Sequence, residues 1–263
     1  MIRVLVNGAA GKMGRAMSAG LLKEEDMQIV AAVDQTCIGM DVGDLCGAGP
    51  IGVMVESDLA TALEHSQPQV MLDFTVPQAV MENLRIAQTH RVAAVVGTTG
   101  LTKTDLTELE ESCGRTGAPV FVASNFALGA VLMMRFAAEA ARYLPEYEVL
   151  EIHNERKADA PSGTALTTLD MMEMQRRVPS TGAANNTESV PGCRGGAYGG
   201  SRVHSLRLPG SVAIQEVLFG GPGQLLSIRH DATSRECFYP GVALALRKIG
   251  ELNGLVLGLD QLL

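Results

Sequence analysis

A doubly wound α/β domain with a parallel sheet, followed by an α+β domain with a mostly antiparallel sheet, is the fold class this 263-residue sequence predicts. Three observations carry that prediction. A strand, a glycine-rich turn and a helix follow one another without interruption at the N-terminus. Short apolar runs, each ending in polar residues, then recur as far as Ala123. Near Gly129 the pattern changes: a long apolar helix is followed by alternating β runs set between Pro-Gly and Gly-Gly turns.

Ile2 to Val6 is an apolar, β-branched run with no polar alternation, as a strand buried on both faces requires. It leads straight into Gly8-Ala9-Ala10-Gly11-Lys12-Met13-Gly14-Arg15, and Met17, Leu21 and Leu22 continue as a helical stripe. Glycines at 8 and 11 allow a tight turn and a close backbone approach to a pyrophosphate, while Gly14 lets the helix lie on the sheet. The spacing is G-x-x-G-x-x-G, in which the middle glycine departs by one position from the usual fingerprint. A second apolar strand, Gln28 to Val33, ends at Asp34, where a carboxylate would accept hydrogen bonds from adenosine ribose hydroxyls. Together these predict a Rossmann-like dinucleotide site rather than a chance glycine turn. Gln35 and Thr36 add no cation beside Asp34, so NADH is favoured. Lys12, inside the loop, offers a cation to a 2′-phosphate and keeps NADPH usable.

Further strands are expected at Val70–Thr75, at Val92–Val96 with a helix over 102–113 behind it, and at Pro119–Ala123. In open parallel sheets ligands bind at the C-terminal ends of strands. Thr75, Gly97, Thr98, Thr99, Ala123, Ser124, Asn125 and Phe126 occupy those ends, and their neutral hydrogen-bonding groups suit a nicotinamide carboxamide and ribose.

After the apolar helix Ala130–Arg142 comes Glu151-Ile-His153-Asn154-Glu-Arg-Lys157-Ala-Asp-Ala-Pro161-Ser162-Gly163-Thr164-Ala-Leu. His153 is of the one side-chain type whose ordinary charge change falls near neutral pH, and Lys157 is a cation four positions on. On a helical turn the two would share a face; on a strand running into a loop they would sit further apart. Pro161 stops regular structure, and Ser162-Gly163-Thr164 reads as the capped start of a helix, whose free amides suit a carboxylate. The stretch 178–200 is rich in Gly, Ser, Thr and Asn and reads as a mobile loop. Val203–Leu208, Ser211–Phe219 and Gln224–His230 read as hairpin-linked antiparallel strands, and Pro240–Gly250 as a helix returning to the first domain.

Composition narrows the function class. With 46% hydrophobic and 19% charged residues the chain can bury a real core, and its net charge of −8 argues against nucleic acid or an anionic membrane as partner. No apolar stretch approaches membrane-spanning length, and no signal-peptide pattern is expected where residues 1–6 form a core strand. Five cysteines, scattered and without metal-ligand spacing, point to a reduced, cytoplasmic setting and to no metal site.

Along essentially its whole length the chain resembles the 4-hydroxy-tetrahydrodipicolinate reductase family of diaminopimelate and lysine biosynthesis. The resemblance runs in order through Val6–Arg15, Asp73-Phe-Thr, Gly97-Thr-Thr-Gly, Ala123-Ser-Asn-Phe, Lys157–Ala165, Ser205–Gly210 and Gln215–Gly220; the Asp-Ala-Pro-Ser-Gly-Thr-Ala string is the most specific. It implies NAD(P)H-dependent reduction of a small dicarboxylate cyclic substrate in a homotetramer, with the second domain binding substrate and assembling the tetramer through its sheet. By that resemblance His153 is the acid/base histidine, Lys157 the proton donor, and Gly163 and Thr164, with Asn154 and Ser162, the substrate-carboxylate site. The implied domains are 1–126 with 236–263, for the dinucleotide, and 127–235. Two departures from the family pattern are Asn154, in place of the second of two adjacent histidines, and Ile214, in place of another. Asn154 can donate a hydrogen bond but supplies no positive charge. A related dehydrogenase acting on another carboxylated substrate, or a non-catalytic nucleotide-binding homologue, are the alternatives; retention of His153, Lys157 and Ser162-Gly-Thr counts against the latter.

Overall fold

In the computed structural model, which describes residues 1–179 and 187–263, the chain forms β1 (Ile2–Asn7), α1 (Lys12–Leu21), β2 (Met27–Val33), α2 (Val42–Cys46), β3 (Val55–Glu56), α3 (Leu59–Ser66), β4 (Val70–Asp73) and α4 (Pro77–Thr89). It continues through β5 (Ala93–Val96), α5 (Lys103–Thr116), β6 (Val120–Val122), α6 (Leu128–Ala141), β7 (Glu146–His153) and α7 (Gly163–Gln175). Then come β8 (Gly196–Tyr198), β9 (Ser201–Arg207), β10 (Ala213–Gly221), β11 (Gln224–Ala232), α8 (Tyr239–Lys248) and β12 (Leu255–Leu257). Two compact units result: Met1–Phe126 with Arg235–Leu263, and Ala127–Ser234.

The first unit is built on a seven-stranded parallel sheet in the order β12-β6-β5-β4-β1-β2-β3. From β1 the chain winds outward through β2 and β3 on one side, then crosses to β4, β5 and β6 on the other, so the winding reverses between β1 and β4. That reversal opens a crevice at the C-terminal strand ends. Register brings its walls together, because Asn7 pairs with Val33 on one side and with Asp73 on the other. Leu5, Met71, Leu84, Val96, Leu109 and Val120 belong to one buried cluster between the sheet and helices α3, α4 and α5. Each such side chain contributes about 1.5–3 kcal/mol by leaving water. α5 is started by a reciprocal cap, Thr102 accepting from the Asp105 amide and Asp105 from the Thr102 amide. α8 packs on α1.

The second unit is a five-stranded sheet in the order β11-β10-β7-β9-β8. Helices α6 and α7 cover one face through Ala137, Tyr147, Val149, Leu169, Met172, Val217 and Phe219. Two sequence expectations change here. β10 and β11 do form an antiparallel hairpin, but β9 is not paired with β10: β7 lies between them, antiparallel to β10 and parallel to β9. Residues 208–212 therefore cross over rather than turn back, which local turn chemistry could not reveal. The loop expected over 178–200 contains β8, paired with β9; residues 180–186 of that stretch lie outside the described residues. Alternation on β7 also decides how the polar block begins: Tyr147, Val149 and Glu151 point inward, and His153 ends a strand rather than lying on a helix.

Candidate functional site

At the strand ends of the first unit, Gly8 takes φ +83° as β1 turns into the loop, and a Cβ there would stand 2.5 Å from the Phe74 carbonyl oxygen. A Cβ on Gly14 would press into the Gly8 carbonyl. Both positions therefore demand glycine. The loop amides are divided in use. Gly8 and Ala9 donate to the Val33 carbonyl, Gly11 to that of Gly8, and Ala10 to Asp34 Oδ2 at 2.9 Å. The amides of Lys12, Met13 and Gly14 precede the first internal bond of α1, Arg15 N to Gly11 O, and the Gly11 cap offers them no side-chain oxygen. A helix start left open in this way is a cradle for a diphosphate.

Asp34 closes the adjacent corner. Its Oδ1 accepts from the Thr36 amide and hydroxyl, both at 2.9 Å, while Oδ2 holds Ala10. Arg15 holds the next peptide, Nε donating to Ala10 O at 2.8 Å, and its Nη2 lies 3.7 Å from Cys37 Sγ. Sequence reading passed over Arg15, although its place one residue after the third glycine was the available signal.

The C-terminal ends of β4 and β5 meet on one wholly buried carboxylate, Asp73. Oδ1 accepts from the Thr75 amide and hydroxyl (3.1 and 2.8 Å) and from the Thr98 hydroxyl (2.7 Å); Oδ2 accepts from Asn7 and Asn83 (3.0 and 2.9 Å). Thr75 and Thr98 are thereby fixed together. Phe126, beyond β6, is buried against Phe74 at 5.9 Å. Ala123 is buried, Gly97 and Asn125 partly so, and Thr99 and Ser124 are exposed. The glycine loop, Asp34 and this ring of neutral donors fit a nicotinamide dinucleotide in shape and charge. Among the described residues no group of three His, Cys, Asp or Glu side chains converges to hold a metal, and no helix is long and apolar enough to cross a membrane.

In the second unit the polar block is held by Glu151, wholly buried on β7. Its carboxylate pairs with both terminal nitrogens of Arg207 from β9, Nη2 to Oε1 at 2.9 Å and Nη1 to Oε2 at 3.1 Å, and meets His153 Nδ1. Burial alone would raise the Glu151 carboxyl; Arg207, Ser205 and His153 outweigh it and hold it below the usual carboxylate range. After His153 the chain turns, Lys157 N donating to Asn154 O at 3.0 Å and Arg156 N to Asn154 Oδ1 at 3.2 Å. The Asn154 side-chain oxygen thus serves its own turn, and its Nδ2 is the group able to donate outward. Lys157 Nζ rests on Asp159 at 2.8 Å, and that contact lowers the Asp159 carboxyl. Ser162 is buried and caps α7, accepting from Ala165 N at 3.2 Å, and Gly163 and Thr164 are the first two residues of the helix.

One departure falls outside this cluster. Ile214 sits between Ala213, paired with His153, and Gln215, which is buried and donates to Thr168 of α7 at 2.7 Å. Alternation turns Ile214 to the opposite face, beside Ile152.

Comparison with known proteins agrees with this architecture in both halves. Family profiles described as dihydrodipicolinate reductase, N-terminus and C-terminus, match residues 2–126 and 129–263. The chain belongs to the dihydrodipicolinate reductase family. It is 52% identical over 262 residues to the 4-hydroxy-tetrahydrodipicolinate reductase of Moorella thermoacetica, covering 100% of this chain and 98% of that protein. It is 43% identical to that of Listeria innocua, with 100% of both chains covered. Among solved structures, a dipicolinate-bound dihydrodipicolinate reductase from Paenisporosarcina sp. TG-14 superposes with a TM-score of 0.88 at 39% identity over the whole of both chains. Reductases of this family use NADH or NADPH, in keeping with the Rossmann-like sheet of the first unit.

Proposed function

We propose that this chain is the NAD(P)H-dependent oxidoreductase that converts 4-hydroxy-tetrahydrodipicolinate to tetrahydrodipicolinate in diaminopimelate and lysine biosynthesis. The observation that carries the reading is the joint presence of His153, Lys157 and the Ser162-capped helix on one loop of a chain that also holds an open dinucleotide cradle. Unit Met1–Phe126 with Arg235–Leu263 is the dinucleotide-binding part and Ala127–Ser234 the substrate-binding part.

The bound cofactor supplies a hydride at its nicotinamide ring. The Lys12–Gly14 amides hold its diphosphate, Asp34 its adenosine ribose, and Thr75, Gly97, Thr98, Thr99, Ala123, Ser124, Asn125 and Phe126 surround its nicotinamide half. Replacing the substrate hydroxyl by hydrogen takes up one hydride and one proton and releases one water, so the protein must deliver a proton. Lys157 delivers it, with His153 orienting or relaying through Nε2. The Gly163 and Thr164 end of α7 takes one substrate carboxylate, assisted by Asn154 Nδ2, and Ser162 keeps that helix end in shape.

Two finer features belong to the same reading. The sheet face of the second unit opposite α6 and α7 exposes Leu218 (43%) and Leu225 (86%), with Leu150, Ile152 and Leu206 nearby. An apolar face of that kind suits association, and we assign it to a homotetramer. A cytoplasmic location suits five cysteines that are all free.

Mixing the purified protein with NADH or NADPH and freshly generated substrate should consume the nicotinamide absorbance; no consumption with either cofactor would overturn the assignment. Dipicolinate should inhibit competitively with substrate. Light scattering on the purified protein should give four chains, and a monomer would overturn the assembly.

A further inference from the structure

We infer that Glu151 and Arg207 are the positioning pair of this site, Glu151 setting the ring of His153 and Arg207 setting the loop that carries Lys157. The inference rests on the function proposed above and extends it to two residues outside the polar block's obvious chemistry. A carboxylate can only accept, so the Nδ1 of His153 that meets Glu151 carries the hydrogen, and in the neutral form of the ring Nε2 is then the bare nitrogen. The fold, not the solvent, selects that tautomer.

Arg207 has donors to spare after gripping Glu151. Its Nε reaches the Lys157 carbonyl at 3.3 Å and its Nη2 the Asp159 carbonyl at 2.6 Å, both on the irregular segment between β7 and α7. A third bond, Nη1 to Leu206 O at 2.7 Å, fixes the guanidinium to its own strand. One planar cation therefore joins the acid under His153 to the backbone under Lys157. A lysine could not span these acceptors. The other groups facing the pair are Ser205 on β9, directly across from Glu151, Gln215 on β10, engaged with Thr168 of α7, and Asp159 on the loop, engaged with Lys157. A purely structural role would be served as well by an apolar pair, since buried ion pairs seldom out-stabilise well-packed hydrophobic residues. An apolar pair could neither accept from Nδ1 nor donate to two loop carbonyls.

The test is Glu151→Gln in the full-length protein. Arg207, the stronger donor, should claim the single remaining oxygen and leave the amide NH2 facing Nδ1. The tautomer then inverts, with hydrogen on Nε2. Nitrogen-15 spectra of labelled histidine, with His153 assigned by its loss in His153→Ala, should show Nδ1–H in the parent and Nε2–H in the variant. Turnover should fall by roughly 10²-fold or more with the NADH dissociation constant unchanged. Adding Glu151→Gln to His153→Ala should cost less than about a further twofold, because both remove one function. An unchanged tautomer, or a loss that simply multiplies in the double variant, would overturn the role of Glu151. Should Glu151→Gln not fold, Arg207→Lys decides: it should keep the tautomer, lower turnover about tenfold, and speed amide exchange over residues 155–160. Unaltered exchange there would overturn the role of Arg207. The spectra and exchange need no substrate, so a parent protein inactive on the substrate defeats the proposed function while leaving this geometry to stand or fall by itself.

Discussion

Asp73 and Glu151 are both carboxylates wholly removed from solvent, one at the end of β4 in the first unit and the other near the end of β7 in the second. Asp73 is satisfied by neutral donors alone: two threonine hydroxyls, one backbone amide and two asparagine amides. Glu151 is satisfied by a guanidinium and an imidazole. On the proposed function, the neutral set would fix where hydroxyls and backbone point in a region that only binds. Arg207 keeps Glu151 ionised beside His153 in the region proposed to react. Burial is common to both, and the charge of the partners distinguishes the two sites.

The largest effects should appear on the charged side. Lys157→Ala and His153→Ala should each lower kcat by roughly 10²–10⁴-fold with NADH affinity little changed; near-normal turnover in both, followed by nicotinamide absorbance, would remove this loop from the chemistry. On the neutral side Asp73→Ala should act on stability first, leaving five donors without their acceptor, those of Asn7 and Thr98 buried, and lowering it by about 3 kcal/mol. Asp73→Asn should recover part of that, since one oxygen remains while its NH2 faces the amides of Asn7 and Asn83. Thermal unfolding of the three proteins should rank them in that order, and equal midpoints would show that the ring is not shared.

Acid titration separates the two carboxylates further. The Glu151 carboxyl is held below its unfolded value, so its contribution is fully present above the unfolded pKa, about 4.3, and is lost as pH falls through the lower folded value. Glu151→Gln should flatten the stability profile in that acid window and nowhere else. A smaller effect is expected from Thr164→Val, which should raise the substrate KM by about tenfold and kcat little. Smaller again is cofactor choice. NADH should have the lower KM; Asp34→Ala should narrow the gap to NADPH and Lys12→Ala widen it, measured at matched salt, and a clear NADPH preference in the parent would refute that reading of Asp34. Ile214→His should leave kcat and KM within about twofold.

What was legible beforehand was local. β1, the glycine loop, Asp34 and the Ser162 cap each declare themselves within a few residues, because turn chemistry and capping act over that range. α4 and β12 went unread: α4 carries a sparse apolar stripe behind Pro77, and β12 is three residues held by pairing with β6 and by packing of Leu255 on the core. Two partners of Asp73, Asn7 and Thr98, lie 66 residues back and 25 ahead, and Arg207 lies 56 residues beyond Glu151. Side chains that meet only across strands leave no periodic trace. The ambiguity over residues 150–157 had the same origin, since pairing with β9 and β10 makes 150–153 the end of a strand, and the chain turns only after it.

Strand β10 shows how a two-residue period can hold apart the two tasks of the proposed function, reaction on one face of a sheet and association on the other. Ala213 and Gln215 pair with His153 and Glu151, while Ile214 between them lies on the opposite face of the sheet beside Ile152. On the proposed function, neighbouring positions of one strand would then serve different tasks, and an exchange at 214 would alter the contacts between copies while leaving the opposite face of the sheet unchanged.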